Sequence, residues 1–313
     1  MDRRQFTFTT AAGLVLAPAA ISQPEPKHAP IGAPSEGPLP APKEGPLPAP
    51  NEGPLPAPEV RPLVGDDARA PGPIGSFFIK NPVRSDENKA RDPFRHPVET
   101  LEFWGLRPGM TVVEIEPSGG YWTEILAPYL LATNGHYVAA VPGDRAAFAA
   151  RYADTSKFGE IEVVPFGPQA GALGSNSTAD MVLTARNFHD WMWTPGLVDT
   201  YLANFHAALA QQAILAVEEH RADPRPMNPQ ARDGYVSTRY LVGKVEGAGF
   251  RLEASSEINA NPKDTKDYPF GVWTLPPTRR THTKEHPKPD GFDPKIYEAI
   301  GESDRMTLRF RKA

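Results

Sequence analysis

The chain has 313 residues, a formal net charge of -5, 37 prolines and no cysteine. Without cysteine, disulfides, thiolate metal sites and cysteine nucleophiles are excluded, and an acidic chain with no Lys/Arg stripe lacks a nucleic-acid footprint. The proline excess lies mostly before residue 75, leaving roughly 235 residues to bury a core, the size of a single α/β domain.

In chain order, residues 1–20 read as an export signal. Arg3 and Arg4 precede a mildly apolar run from Phe6 to Leu16, and Ala17, Ala19 and Ala20 supply a small-residue cleavage site. This order resembles a twin-arginine signal and predicts a mature protein in the periplasm or cell envelope. The apolar run is too short to span a bilayer, so no stable membrane insertion is expected after cleavage. Residues 21–75 are predicted to be a disordered linker, with three octapeptides over 35–58 that share Glu-Gly-Pro-Leu-Pro-Ala-Pro. Proline at this density excludes helix and sheet ladders and favours a polyproline II spacer, about 75 Å long if fully extended. A docking peptide for a proline-recognising partner is the alternative.

Residues 76–313 carry the folded domain. Val98–Gly105 reads as a helix stopped by Pro108 and Gly109, and Thr111–Ile115 as a buried strand. Ser118-Gly119-Gly120 then turns into a helix whose apolar face carries Tyr121, Trp122, Ile125, Leu126, Tyr129 and Leu130. Further strands are predicted at 136–141, 161–166, 180–184 and 213–217, with helices at 144–152 and 195–209 between them. This alternation implies parallel βαβ units in a Rossmann-like, doubly wound, mostly parallel sheet, with a ligand crevice at the carboxyl ends of the strands. After a helix over 235–248, the strand-like stretches 251–258 and 305–311 follow without an obvious helix between them. They predict an antiparallel ending to a seven-stranded sheet.

Several motifs carry a family resemblance: Arg95-His96-Pro97, Gly109 to Ile115, Glu114-Ile115-Glu116-Pro117-Ser118-Gly119-Gly120, Tyr121 to Leu130, Arg186 to Trp191 and Glu302 to Leu308. Over about residues 90–313 they resemble class I S-adenosylmethionine (SAM) dependent methyltransferases, in particular a group of exported, poorly characterised bacterial members. The resemblance implies SAM as cofactor, a small-molecule acceptor, and cofactor contacts from Glu114, Glu116, Ser118, Gly119, Gly120, Asp144 and Asn187. Glycines at such a strand-to-helix turn let the cofactor approach the backbone. Here Glu116 and Ser118 stand where the family keeps its first two glycines, so Glu116 must turn aside or pair with the methionine ammonium. Strand 136–141 also lacks the terminal acid that holds the ribose. Either Asp144 reaches back or the ribose is held otherwise.

On the acceptor side, His189 and Asp190 are the expected catalytic pair, with His189 taking a proton and Asp190 fixing or stabilising the imidazole. Trp191, His220 and Arg221 are expected at the acceptor, the last with Arg232 on an acidic group. Glu218, Glu219 and His220 add donors near His189, but no tight ligand spacing supports a metal, and none is expected. The stretches 259–267 and 271–277 read either as a lid anchored by Trp273 or as a packed surface loop. Beside methyl transfer, two other functions stand open: a noncatalytic ligand-binding module, and a hydrolase-like or metal-assisted activity built on His189, Asp190 and His220.

Overall fold

The computed structural model describes residues 74, 75, 77, 83–171, 173, 178–224 and 226–313. The predicted signal and the octapeptide linker lie outside the described residues. The domain opens with three short helices, α1 (Asp86–Lys89), α2 (Asp92–Arg95) and α3 (Pro97–Trp104). Next come β1 (Thr111–Ile115), α4 (Thr123–Ala132), β2 (His136–Val141), α5 (Arg145–Arg151), α6 (Thr155–Phe158) and β3 (Ile161–Pro165). Then follow β4 (Ala179–Ala185), α7 (Phe188–Trp191), α8 (Leu197–Ala208), β5 (Leu209–His220), α9 (Thr238–Gly247) and β6 (Phe250–Ser256). A 3-10 turn (Gly271–Thr274), α10 (Pro294–Ile300) and β7 (Arg305–Lys312) complete it.

The seven strands form one sheet in the order β3-β2-β1-β4-β5-β7-β6. The first five are mutually parallel, and β7 runs antiparallel between β5 and β6. The strand order reverses between β1 and β4, so their carboxyl ends open the crevice of a doubly wound sheet. This is the predicted architecture, including the antiparallel C-terminal strand.

Both faces of the sheet are covered, which is why its strands read as continuous apolar runs. Val113, Ile115, Val182, Leu215 and Val217 pack with Trp191, Tyr201 and Phe205 under α7, α8 and α9. Val112, Ala139, Leu183 and Ala216 pack on the opposite face with Leu101, Trp104, Ile125 and Leu126 from α3 and α4. One residue interrupts that second layer with charge: Glu114, 2% exposed in the middle of the sheet.

Several predicted boundaries shift for local reasons. Tyr121 and Trp122 precede α4 rather than belonging to it, and Trp122 packs on Trp104 with ring centroids 5.3 Å apart. The predicted helix 144–152 contracts because Asp144 caps it, accepting from Ala147 N at 3.0 Å. Strand β5 begins at Leu209, ahead of the predicted 213, because exposed Gln211 and Gln212 mask its apolar pattern. The last two strands do pair antiparallel, but α10 and the 3-10 turn separate them in the chain. No described helix is long and apolar enough to cross a membrane.

Candidate functional site

At the carboxyl end of β1 the chain adopts a left-handed backbone at every second residue: Glu116 at φ 49°, Ser118 at 47° and Gly120 at 78°. A non-glycine residue in this region costs on the order of 1–2 kcal/mol, so the turn is held by its surroundings. Gly120 N donates to Pro117 O at 2.8 Å, and Asn187 Nδ2 donates to Ile115 O at 2.9 Å, tying β1 to the segment after β4. The glycines are not equivalent. A Cβ at Gly120 would lie 1.7 Å from Tyr152 Oη, whereas one at Gly119 would meet open space.

Glu114 points into the α3/α4 layer, where Tyr137 Oη and Thr123 Oγ1 donate to its Oε2. Burial pushes its carboxyl up to about 7 despite those donors. Glu116 turns aside toward α7, accepting from Trp191 Nε1 at 3.3 Å. Burial again dominates and raises it to about 7.

At the end of β2, Pro142 follows Val141 directly, so no carboxylate stands there. Asp144 is exposed and occupied with its helix cap. Arg151 from α5 reaches back instead and donates to Gly119 O at 3.0 Å.

Beyond β4, α7 places His189 almost wholly inside, 2% exposed. Its Nδ1 and Glu219 Oε1 are 3.0 Å apart, its backbone N donates to Glu219 Oε2, and its Nε2 lies 3.3 Å from Asp190 Oδ1. Burial opposes the imidazolium, but the charges of Glu219 and Asp190 outweigh it and hold His189 up to about 9. This environment favours the imidazolium, which opposes the proton-accepting role expected of His189. Asp190, one third exposed, is the member that faces outward. Burial raises its carboxyl to about 6, with Glu219 adding to the rise and His189 opposing it. The imidazole is thus held from both sides, by Asp190 as expected and by Glu219, which is at 0% exposure.

His220 lies 5.2 Å from His189 between ring centroids, with Nδ1 2.5 Å from Ser303 Oγ. Burial, then the positive charges of His189 and Arg186, push it well below its ordinary value. Donor atoms of His189, Glu219 and His220 lie within 4.8 Å of one another, enough for a metal. Within that set Glu219 Oε1 also accepts His220 N at 2.7 Å. Trp273 packs edge-on 5.7 Å from His189, and Trp193 lies 6.1 Å from Trp273. The stretch around Trp273 is thus packed onto the site, with Phe270, Val272 and Leu275 buried.

Two expected acceptor contacts lie elsewhere. Trp191 is 2% exposed and packs against Tyr201 and Phe205 in the core. Arg221 is committed to Asp304 through two bonds of 2.8 and 3.0 Å and to Glu257 at 2.8 Å. Arg232 sits over the Trp193 ring at 5.4 Å.

Sequence reasoning did not anticipate a buried ionic cluster beside His220. Glu302 accepts Arg95 Nε at 2.9 Å and Arg305 Nη1 at 2.8 Å, and Arg305 Nη1 also donates to Glu218 at 3.0 Å. Arg186, left-handed at φ 63° just past β4, has its Nε 3.7 Å from Glu218. All of its members but Glu218 sit inside the motifs quoted above, Arg95-His96-Pro97, Arg186 to Trp191 and Glu302 to Leu308, which was the available signal.

No family model matches the chain, and no curated protein matches it. Solved structures do. A SAM dependent methyltransferase from Aquifex aeolicus aligns with 72% of this chain and 93% of its own, at 15% identity and TM-score 0.46. An arsenic(III) S-adenosylmethionine methyltransferase from Chlamydomonas reinhardtii aligns with 77% of this chain and 73% of its own, at 14% identity and TM-score 0.44. The [4+2]-cyclase SpnF aligns with 74% of this chain and 84% of its own, at 12% identity and TM-score 0.45. Likeness at this level does not carry a function across.

Proposed function

We propose that the chain binds SAM across the carboxyl ends of β1 and β4 and transfers its methyl group to a small-molecule acceptor. The carrying observation is the left-handed backbone at 116, 118 and 120. Glycine takes this conformation without steric cost, and here two of the three residues that adopt it are not glycine. Conformations this costly persist where a functional turn demands them. The residues present fit the group at this loop, where Gly119 is open above its Cα and Glu116 is drawn toward Trp191. At Pro142 the usual carboxylate grip on the ribose is missing, so backbone and neighbouring side chains must hold that end.

SAM supplies an electrophilic methyl group when bound, and the chain's own residues handle the proton. Asp190 is the outward carboxylate, and it rests on the His189 imidazolium, itself fixed by Glu219. An acceptor hydroxyl or amine gives its proton to Asp190 as the methyl arrives, and His189 stabilises the ionised carboxylate until then. Export through the twin-arginine route, which carries folded proteins, belongs to the same proposal and would let the domain leave the cytoplasm with cofactor bound.

Calorimetric titration of the full chain with SAM tests the reading. Saturable binding that is lost in Gly120→Asp supports it, and no heat at millimolar SAM overturns it. If SAM binds but no methyl group leaves it in the presence of candidate acceptors, the chain is a ligand-binding module on this fold.

A further inference from the structure

Two guanidiniums and two carboxylates are buried together at the crevice rim, Arg95 and Arg305 against Glu218 and Glu302, and the half-buried Arg186 lies beside them. One positive charge is in excess. The hydrogen bonds are also lopsided. Arg95 is 1% exposed and spends Nε on Glu302, yet neither Nη1 nor Nη2 finds a partner among the described residues. Arg186 Nε, 3.7 Å from Glu218 Oε1, and Arg305 Nε are likewise buried without a hydrogen-bond partner, and Glu218 Oε2 is the one acceptor of the cluster in the same condition. A buried guanidinium with two idle terminal nitrogens is a costly arrangement, because its donors have left water without replacement.

The position of these donors is informative. Arg95 lies over the Tyr121 ring, its Cζ 4.5 Å from the centroid, which places it beside the turn after β1. Arg186 directly follows β4, and Arg305 pairs in register with His220 at the end of β5. The idle donors therefore collect where the carboxyl ends of β1, β4 and β5 converge. Burial, with the charge of Arg95 beside it, lowers Arg186 to about 10, and the same arginines help keep His220 neutral.

We infer that Arg95 and Arg186 form a recognition site for a carboxylate on the acceptor molecule, so that the acceptor is a small organic acid. The inference rests on the methyl-transfer reading for the word acceptor, but the site itself does not. A planar guanidinium fork matches a carboxylate. One excess positive charge is balanced by a monoanion, whereas a phosphate dianion would leave the cluster negative. In this inference Arg95 and Arg186, rather than Arg221 and Arg232, take the acidic group of the acceptor.

The test uses the full chain and 4-fluorobenzoate as probe, followed by fluorine NMR, with inorganic phosphate as competitor. Saturable binding is expected, weakened at least tenfold by Arg186→Met and by Arg95→Lys, and unchanged in Arg279→Met, a surface arginine paired with Glu298. Arg186→Met guards against a folding artefact, since that side chain is 22% exposed and its closest Glu218 contact is 3.7 Å. Absence of saturable binding, equal binding in Arg186→Met, or phosphate outcompeting the probe at equal concentration overturns the inference. A second arm compares S-adenosylhomocysteine with 5′-methylthioadenosine, which lacks the amino-acid end. If Arg186→Met weakens only the former, the arginines hold the cofactor carboxylate and the inference is overturned. If neither nucleoside binds while the probe does, the methyl-transfer reading fails and the carboxylate site stands.

Discussion

On the β1 side of the crevice Glu114 is buried among the hydroxyls of Tyr137 and Thr123, and its pKa rises to about 7. On the β4–β5–β7 side Arg95 and Arg305 are buried with Glu218 and Glu302, and Glu302 is held down at about 2. There burial works against the carboxylate, but the charges of Arg95, Arg305 and Arg186 outweigh it. Burial alone thus moves a carboxyl toward its neutral form, and burial beside guanidiniums does the reverse. The first side presents shaped backbone to a ligand. The second presents charge.

The largest expected effect comes from breaking the charged side. Glu302→Ala removes the carboxylate shared by Arg95 and Arg305, and should cost about 3–5 kcal/mol of stability in urea denaturation, the usual consequence of stranding buried charge. A loss below about 1 kcal/mol would mean that water already screens the cluster. On the backbone side, Gly120→Ala adds a Cβ 1.7 Å from Tyr152 Oη at φ 78°. Left-handed strain and overpacking together should cost about 2–4 kcal/mol by the same measurement.

The pH dependence of stability separates the two sides further. His189 has its pKa raised from 6.5 to about 9, so its contribution is complete below pH 6.5 and is lost as pH rises through 9. Thermal melts should therefore decline on the alkaline side, and His189→Gln should flatten that decline. Glu302 has the opposite sign: its contribution is complete above pH 4.5 and is lost as pH falls toward 2. The smallest effect is a gain. Ser118→Gly relieves an exposed left-handed residue and should stabilise the chain by about 0.5–1 kcal/mol, with SAM affinity kept. A destabilised Ser118→Gly would show that the Ser118 hydroxyl, which donates to Glu116 O at 3.1 Å, outweighs the strain.

The two sides also differed in how far the sequence revealed them. Strands β1, β2 and β4 were legible as apolar runs between turn signals, because doubly covered strands carry few polar residues to blur them. The glycine turn was legible from Gly119 and Gly120. That Glu116 and Ser118 would keep the glycine backbone was not, since the strain is paid by tertiary contacts such as Asn187 to Ile115. His189 and Asp190 stand just past β4 as expected, but on the short helix α7 rather than a loop, and the imidazole's contacts depend on Glu219, thirty residues away. Arg95 and Glu302 are 207 residues apart. Their pairing depends on β7 inserting beside β5, and no local pattern encodes that.

The central claim is that SAM lies on the left-handed turn and against the segment that follows β4. Amide hydrogen exchange of the full chain, with and without saturating SAM, reads this directly. Slowed exchange confined to residues 116–120 and 186–190 is the expected result. Unchanged exchange in both segments, with protection arising elsewhere or nowhere, would contradict the claim.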